Sequence, residues 1–221
     1  MSGERPRPTA VALRVVLPAA VALVVALLLR AFVVGVYRVP TASMAPTLLA
    51  GDRLLVDKLA YRHHPPERGD VVVLTRADGE LFVKRVVGLA GDTVRLAGGQ
   101  LFVDGAEVER EPLGDVQLDD AGEEVRTASF FLEDELYAEH LGGRVWRVVQ
   151  RRAAPVKAEG PFLVPAGAVF VLGDNRDAST DSRSPSFGPV PLNRLVGRVE
   201  RVAFSFGSGG PRWPRSFAPV H

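Results

Sequence analysis

The stretch VVVLTRADGELFVKRVVGL, residues 71–89, carries the strongest structural signal in the chain. Two runs rich in β-branched residues flank ADGE, residues 77–80, and an Asp-Gly pair between such runs is typical of a β-hairpin turn. Residues 91–108 repeat the pattern with further glycine turns, and residues 51–62 and 195–206 also show strand patterns. The sequence therefore predicts a mainly β protein built on an antiparallel sheet.

The composition agrees with a loop-rich β protein and excludes several kinds of site. Of the 221 residues, 22 are glycine and 17 are proline, which favours β structure over a helical bundle. The absence of cysteine excludes disulfides, thiol catalysis and zinc-thiolate sites. The net charge is +1 without a long basic run, which argues against nucleic acid as a partner. None of the four histidines has a metal-ligand spacing.

An apolar segment near the N-terminus predicts a membrane anchor. Residues 15–29 contain no charge, Arg30 interrupts, and residues 31–37 continue the apolar pattern. Together they would form a helix of roughly 35 Å, enough to cross a bilayer, with the Arg30 side chain reaching one interface. The alternative is a cleaved signal peptide, but residues 33–35 match its small-x-small cleavage site poorly. We predict a transmembrane anchor over residues 15–37.

The charges around this segment predict its orientation. Arg5, Arg7 and Arg14 precede it, although two further arginines at its far end weaken the signal. The positive-inside rule then places residues 1–14 in the cytoplasm and everything after residue 38 outside.

The rest of the chain divides into a β domain and an insertion. Residues 38–104 and 161–206 carry the strand patterns and are predicted to form one antiparallel β domain. Residues 105–160 are acidic and irregular apart from GRVWRVVQRR, and we interpret them as an insertion with a strand pair or a short helix. Residues 207–221 are rich in glycine and proline and are predicted to be a flexible tail.

Lys84, in LFVKRVV, is the first residue that resists a purely structural interpretation. Its neighbours on both strand faces are apolar, which predicts that the strand is buried on both sides. A lysine on an edge strand that extends its amine to water is the alternative. A desolvated lysine has a lowered pKa and can act as a general base.

A second unusual stretch is GDNRDASTDSR, residues 173–183, where charges and turn-forming residues follow an apolar strand. A calcium loop starting at Asp177 is excluded, because Ser182 replaces its glycine and Gly188 its final glutamate. A solvated turn is the remaining structural alternative.

A third stretch, VPTASMAPTL at residues 39–48, places prolines on both sides of Ser43 and is suited to holding a nucleophile still. Such a serine needs a base. His63 and His64 lie in a proline-rich loop and His140 in the insertion, which disfavours a Ser-His-Asp triad. Serine with lysine is the remaining pair.

At this point the chain resembles a known family. SMAPTL, FVKRVVGLAGD and GDNRDASTDSR…FGPVP…LVGR, in this order behind an apolar segment, are similar to the bacterial type I signal peptidases. These are membrane-bound Ser-Lys proteases that remove signal peptides from exported proteins. The resemblance covers about residues 30–105 and 160–204 and implies a signal-peptidase-type β catalytic domain with an inserted variable subdomain.

The resemblance implies roles for individual residues. Ser43 matches the nucleophile and Lys84 the general base. Thr41 takes the place of the hydroxyl that completes the oxyanion hole with the Ser43 amide, and Ser179 that of the serine that orients the lysine. The charged residues that match those bracing the site are Arg85, Asp174, Asp181 and Arg183. The residues that match the wall of the substrate pocket are Val39, Pro40, Met44, Leu48, Phe82 and Val83.

The implied activity is cleavage of preproteins after small residues of the Ala-x-Ala type, without a metal or another cofactor. The implied location is the bacterial inner membrane, with one span in the lipid bilayer and the catalytic domain on the outer face. Two rival functions are a self-cleaving repressor-type Ser-Lys protease, which the apolar segment argues against, and a catalytically inactive membrane-anchored β domain that binds partners.

The sequence also departs from the family pattern. TAS, residues 41–43, stands where many members have SGS, and Ala178 stands where asparagine is frequent. The loop around residues 184–186 is about two residues longer than usual. Nothing is transferred to residues 105–160.

Overall fold

The computed structural model describes residues 8–123, 134–152 and 159–220. The elements in chain order are α1 Pro8–Phe32, β1 Val34–Arg38, β2 Asp52–Asp57, α2 Ala60–His63, β3 Val71–Thr75, β4 Leu81–Gly88, β5 Thr93–Ala97, β6 Gln100–Val103, β7 Ala106–Glu107, β8 Glu109–Val116, β9 Asp134–Leu141, β10 Arg144–Arg151, β11 Glu159–Leu163, β12 Ala168–Leu172, β13 Val190–Pro191, β14 Leu195–Gly207 and β15 Gly210–Pro211. Single 3₁₀ turns follow β13 and β15, at Leu192–Arg194 and Trp213–Arg215.

The largest sheet has the strand order β1-β2-β14-β3-β4-β12-β13, and β15 pairs with the end of β14. Every neighbouring pair is antiparallel. Strand β14 has 13 residues and pairs with β2 on one side and β3 on the other. Register shifts in both ladders bend it, and the sheet curls. The mainly antiparallel β fold predicted from the sequence is confirmed.

The hairpin predicted over residues 71–89 is confirmed. Strands β3 and β4 pair in register and leave residues 76–80 as the connecting loop. Gly79 in this loop has a φ of 87°, a conformation that glycine adopts at little cost. Strand β4 lies between β3 and β12. Its residues Lys84 and Arg85 are almost fully buried, as the apolar pattern predicted for Lys84.

The insertion contains more strand than expected. Strands β8, β9 and β10 form a three-stranded antiparallel sheet in place of a strand pair or a short helix. Strand β8, EREPLGDV, is mostly exposed and lacks an apolar alternation, so its ladder with β9 holds it in place. Strands β11, β5, β6 and β7 form a separate four-stranded sheet. Residues 124–133 and 153–158 of the insertion lie outside the described residues.

The apolar helix ends earlier than predicted. Helix α1 ends at Phe32, and the section from Arg14 to Phe32 is long and apolar enough to cross a membrane. The predicted span continued to Tyr37, but residues 34–38 form β1, because the β-branched residues there pair well with β2. The side chain of Lys58 closes the helix end by donating hydrogen bonds to the carbonyls of Arg30 and Ala31 at 3.1 and 3.0 Å. Of the predicted cytoplasmic segment, residues 1–7 lie outside the described residues, and residues 8–14 belong to α1, which begins before the predicted span.

The C-terminal segment is attached to the domain, whereas a flexible tail was predicted. Strand β15 pairs with β14, and Arg215 donates to the fully buried carboxylate of Asp52 at 2.7 Å. Arg212 bonds Glu123 and, at 3.0 Å, the carbonyl of Ala50. These partners are distant in sequence, which is why composition alone did not reveal them.

The insertion is also hydrogen-bonded to the loop that follows β12. The N–H of Val149 in β10 donates to the Asp174 carbonyl at 2.8 Å, and the N–H of Arg176 donates back to Val149 at 2.9 Å. Arg176 forms a two-fold hydrogen-bonded ion pair with Glu139 of β9, and both side chains are almost fully buried. The stretch 173–183 is therefore held from the insertion side by both backbone and side-chain contacts.

We expect Glu139→Ala to lower the free energy of unfolding by about 3–5 kcal/mol, because it leaves the buried Arg176 charge unpaired. Glu135→Ala, on the same strand but paired with the half-exposed Arg152, should cost about 1 kcal/mol or less. Denaturant unfolding of both variants measures the difference. Equal costs would contradict the structural importance of the buried pair.

Candidate active site

Ser43 lies in the loop that joins β1 to β2. Hydrogen bonds of 2.8 and 2.9 Å, from Val39 to Asp52 and from Gly51 to Val39, close the base of this loop. Met44 and Leu48 are almost completely buried and fix the loop to the core. The loop is thus anchored by a ladder on one side and by apolar packing on the other, and it presents Ser43 at a defined position.

Lys84 reaches Ser43 from the middle of β4. Its Nζ lies 2.7 Å from Ser43 Oγ, across 41 residues of sequence. Thr41 Oγ1 donates to the same Ser43 Oγ at 3.3 Å. A serine hydroxyl within hydrogen-bonding distance of a lysine amine is the geometry that a nucleophile and its base require.

Burial controls the electrostatics of Lys84, whose side chain is about 2% exposed. Desolvation lowers the pKa of Lys84 to about 8, although Asp181 and Asp174 raise it and Arg183 lowers it further. About half of the amine is therefore neutral near pH 8 and able to accept a proton.

Arg85 follows Lys84 and points to another part of the core. Its guanidinium donates two hydrogen bonds to Asp174 at 2.8 and 2.7 Å, and a third to the Gly69 carbonyl at 2.8 Å. The group also lies 4.9 Å from the ring of Trp146. Both charges of the pair are completely buried, so each needs the other. The Arg85–Asp174 ion pair therefore connects β4 to the loop after β12.

Asp181 and Arg183 form a second buried ion pair beside the lysine. Arg183 donates to both oxygens of Asp181, at 2.8 and 2.9 Å, and to the Arg176 carbonyl at 2.6 Å. Gly173 N–H donates to Asp181 at 3.0 Å. Burial raises the pKa of Asp181, but the hydrogen bond and charge of Arg183 outweigh it, so the pKa lies below its usual value. The four charged residues predicted to brace the site are all brought to it.

Ser179 lies in the site, but the expected hydrogen bond to Lys84 is not formed. Its buried Oγ instead interacts with the Asp181 carboxylate and helps to lower the pKa of Asp181. A Cβ atom at Gly173 would lie 2.2 Å from this Oγ and 2.5 Å from the Ser43 carbonyl oxygen. Glycine is thus required at position 173 for Ser179 to approach the nucleophile's backbone.

An apolar cavity of about 260 Å³ opens beside Ser43 and Lys84. Five residues of the predicted pocket wall line it: Val39, Pro40, Met44, Phe82 and Val83. Leu48 does not, and this prediction is corrected, because its side chain is fully buried in the core cluster that also contains Met44. Tyr37 and Arg38 also line the cavity and were missed, since both were assigned to the end of the membrane span or its flank. The β-branched and aromatic residues of VGVYRV, residues 34–39, were the signal for a strand there.

A second cavity of about 330 Å³ also reaches Ser43, and is polar where the first is apolar. Thr41, Ala42 and Ser43 line it together with residues of the insertion and of the stretch 173–183, including Arg151 and Asp177. Ser43 thus stands where an extended chain could pass from one cavity into the other.

Replacing Lys84 by methionine should stabilise the fold at neutral pH. The folded-state pKa of about 8 is below the unfolded value, so the buried charge destabilises the protein below pH 8 by about 3 kcal/mol. This cost fades between pH 8 and about 10.4, where the unfolded lysine also becomes neutral. Denaturant unfolding at pH 7 and pH 10.5 tests the sign: the advantage of Lys84→Met should be present at the lower pH and largely lost at the higher. A parent more stable than the variant at pH 7 would contradict it.

A family model and several curated relatives match most of this chain. The family model described as signal peptidase, peptidase S26, matches residues 12–204. A signal peptidase I of Leptolyngbya laminosa is 32% identical over 185 residues, which cover 80% of this chain and 71% of the relative. Signal peptidase I of Bacillus caldolyticus is 36% identical over 183 residues, covering 81% and 85%. That of Pseudomonas fluorescens is 35% identical over 209 residues, covering 83% and 69%. The chain therefore belongs to the signal peptidase family, peptidase S26, and is a serine endopeptidase.

Proposed function

We propose that this endopeptidase removes signal peptides from preproteins with Ser43 as nucleophile and Lys84 as general base. The observation that carries the proposal is the 2.7 Å contact between Lys84 Nζ and Ser43 Oγ, formed by an almost fully buried lysine with a lowered pKa. A solvated lysine near its ordinary pKa would be protonated at neutral pH and could not accept the serine proton.

The first half of the reaction forms an acyl-enzyme. Neutral Lys84 takes the Ser43 proton as Oγ attacks the scissile carbonyl carbon, and the backbone N–H of Ser43 with the Thr41 hydroxyl stabilises the oxyanion. The Lys84 ammonium then gives its proton to the leaving nitrogen, and the C–N bond breaks. The mature chain departs as a free amine, and the signal peptide stays esterified to Ser43.

The second half repeats these roles with water. Lys84 takes a proton from the water that attacks the ester, and it returns that proton to Ser43 Oγ as the carboxylic acid leaves. In both halves of the reaction, Thr41 can stabilise the oxyanion only if its hydroxyl turns towards it. In the structure this hydroxyl donates to Ser43 Oγ instead. We assign to Ser179 the task of orienting the Lys84 amine once substrate is bound. Its buried Oγ interacts with Asp181, the carboxylate that also acts on the Lys84 amine, and this supports the role.

The enzyme acts at a membrane in this proposal. The helix section from Arg14 to Phe32 can cross a bilayer once, and the arginines before it favour a cytoplasmic N-terminus. The catalytic domain would then face the outer side of a bacterial inner membrane, where preproteins emerge. The repressor-type alternative is set aside by the family to which the chain belongs.

Cleavage of a purified precursor by the full-length protein tests the proposal. We expect kcat/KM to rise with pH through a midpoint near pH 8, since the neutral amine of Lys84 is the base. Ser43→Ala and Lys84→Arg should both be inactive, the latter because guanidinium keeps its proton. Ser186→Ala and Lys58→Arg are the matched controls and should cleave normally. An active Lys84→Arg would overturn the assignment of Lys84 as the base, and a parent that never cleaves would favour a binding domain.

The family to which the chain belongs, together with the apolar lining of the cavity, predicts small residues before the cut. We expect a precursor with Leu at the last position before the cut to be cleaved about 5- to 150-fold more slowly than one with Ala, since overpacking costs about 1–3 kcal/mol. Leu at the third position before the cut should be rejected similarly, whereas Leu at the second position serves as the control. Equal kcat/KM for all of these precursors would contradict an Ala-x-Ala type site.

A further inference from the structure

One face of the sheet formed by β8, β9 and β10 lies against the catalytic domain close to the active site. In the ladder between β9 and β10, Glu139 is directly opposite Trp146, so both side chains project from the same face. Glu139 is completely buried and paired with Arg176 in the loop after β12. The ring of Trp146, which is 3% exposed, lies against the guanidinium of Arg85, the neighbour of Lys84 in β4. This face of the insertion therefore reaches two separate segments of the site.

The loop after β12 connects the insertion to the nucleophile through its backbone. Asn175 lies beside Val149 of β10 in a parallel bridge. The backbone of Val149 is hydrogen-bonded to both sequence neighbours of Asn175, at 2.8 and 2.9 Å. The N–H of Asn175 in turn donates to the carbonyl of Ser43 at 3.2 Å. The insertion and the nucleophile thus share one loop residue, and a displacement of that residue is transmitted to the backbone of Ser43.

Trp146 connects the insertion to the strand that carries the base. Its ring centre lies 4.9 Å from the guanidinium carbon of Arg85, a distance at which a cation and an aromatic face attract each other. Room for the indole depends on Gly69, where a Cβ atom would lie 3.2 Å from Trp146 Cζ3. Within the described residues the buried Nε1 of Trp146 has no hydrogen-bond partner. The site therefore uses the aromatic face of this residue, and this face covers the strand next to Lys84.

The ion pair between Glu139 and Arg176 also leads to the charges around the base. The carbonyl of Arg176 accepts a hydrogen bond from Arg183 at 2.6 Å, and Arg183 is bonded to both oxygens of Asp181. Asp181 is one of the carboxylates that raise the pKa of Lys84. The position of Arg176 therefore determines where the second ion pair of the site lies.

The side chains of Glu139 and Arg176 bond only each other in the part of the chain that the structure describes. A buried ion pair contributes little net stability compared with apolar residues of similar volume, because desolvation of the two charges offsets their attraction. Its hydrogen bonds are directional, however, and they fix the place of the Arg176 backbone. Orientation of the loop is thus a function that an apolar pair could not supply.

We propose that Glu139, Arg176 and Trp146 are positioning residues, which hold Ser43 Oγ and Lys84 Nζ at reacting distance from the insertion side. None of the three lines either of the two cavities beside Ser43, so they act through other residues and not on substrate. The inference rests on the proposed function and deepens it. It makes the insertion part of the catalytic apparatus.

Replacing the ion pair by two methionines separates positioning from stability. We expect Glu139→Met with Arg176→Met to unfold at about the same denaturant concentration as the parent, because apolar residues of similar volume replace a buried ion pair without loss. At pH 8 we expect kcat for cleavage of a purified precursor to fall about 10-fold, since the nucleophile and the base are no longer held in register. KM should change little, because neither residue lines a cavity.

The pH profile gives a second measurement that a purely structural role would not change. The charged groups that act on the Lys84 amine are Asp181, Asp174 and Arg183, and all three remain in the methionine variant. The variant removes one positive and one negative charge, so the net charge is also unchanged. Loosening of the loop admits water to the amine and weakens the desolvation that lowers its pKa. The midpoint of kcat/KM should therefore move upwards from about pH 8, by about half a pH unit or more.

A second glutamate–arginine pair on the insertion provides the matched control. Glu135 and Arg152 are partly exposed and paired with each other. Glu135→Met with Arg152→Met makes the same two substitutions and should keep the kcat and the pH midpoint of the parent.

Variants of Trp146 test the other contact independently. Trp146→Leu removes the aromatic face over Arg85 and should lower kcat and raise the pH midpoint. Trp146→Phe keeps an aromatic face there and should retain about threefold or more of the kcat of Trp146→Leu. If the double methionine variant at positions 139 and 176 does not fold, this pair of variants decides the question by the same two measurements.

Denaturant unfolding under the assay conditions gives the folded fraction of each variant. The inference is overturned if the folded positioning variants keep the parental kcat and pH midpoint, or if the Glu135 and Arg152 control loses as much. It is also overturned if activity falls only in proportion to the folded fraction and the midpoint stays unchanged. A parent that cleaves with a midpoint near pH 8 beside unchanged variants overturns this inference alone, whereas a parent that does not cleave overturns the proposed function as well.

Discussion

The burial of one amine next to one hydroxyl is the constraint on which the rest of this structure depends. In the proposed mechanism, Lys84 must be desolvated enough to lose its proton near neutral pH, yet close enough to Ser43 to take the serine proton. Strand β4 achieves the first condition because it is paired on both sides and covered on both faces. The loop between β1 and β2 achieves the second, since its ladder and its apolar anchors Met44 and Leu48 leave Ser43 little freedom.

A long-range antiparallel fold is suited to this task. The site joins a loop near residue 43, a strand at residue 84 and a loop after residue 172, and these segments meet only because the sheet orders its strands non-sequentially. The ion pair Arg85–Asp174 fixes strand β4 to the loop after residue 172, and the pair Arg183–Asp181 stabilises the conformation of that loop itself. A further buried ion pair, between Glu139 of the insertion and Arg176, joins the insertion to the same loop. A segment that looks dispensable in sequence thus contributes to the rigidity of the catalytic loop.

The sequence predicted the parts of the fold that local chemistry decides. Asp-Gly turns between β-branched runs identified the hairpins, and the apolar surroundings of Lys84 identified its burial. Three features could not be obtained this way. The residues of β1 have the same apolar composition as a membrane span, strand β8 has no alternation, and the C-terminal segment is held by Arg215 through a carboxylate 163 residues away in sequence. In the site, the roles proposed for Ser43 and Lys84 came from the motifs. The failure of Leu48 to reach the cavity depends on side-chain packing that no local pattern encodes.

The charges around Lys84 show why the bracing residues occur in pairs. An unpaired carboxylate beside the amine would stabilise the ammonium ion and raise its pKa, and an unpaired guanidinium would lower it further and destabilise the fold. Each of Asp174 and Asp181 is instead bonded to an arginine. The two carboxylates still raise the pKa of Lys84 and Arg183 lowers it, so these charges partly offset one another. Desolvation remains the largest cause of the lowered pKa of Lys84. Because the four charges form two ion pairs, they can stabilise a site that excludes water while the pKa of Lys84 stays lowered.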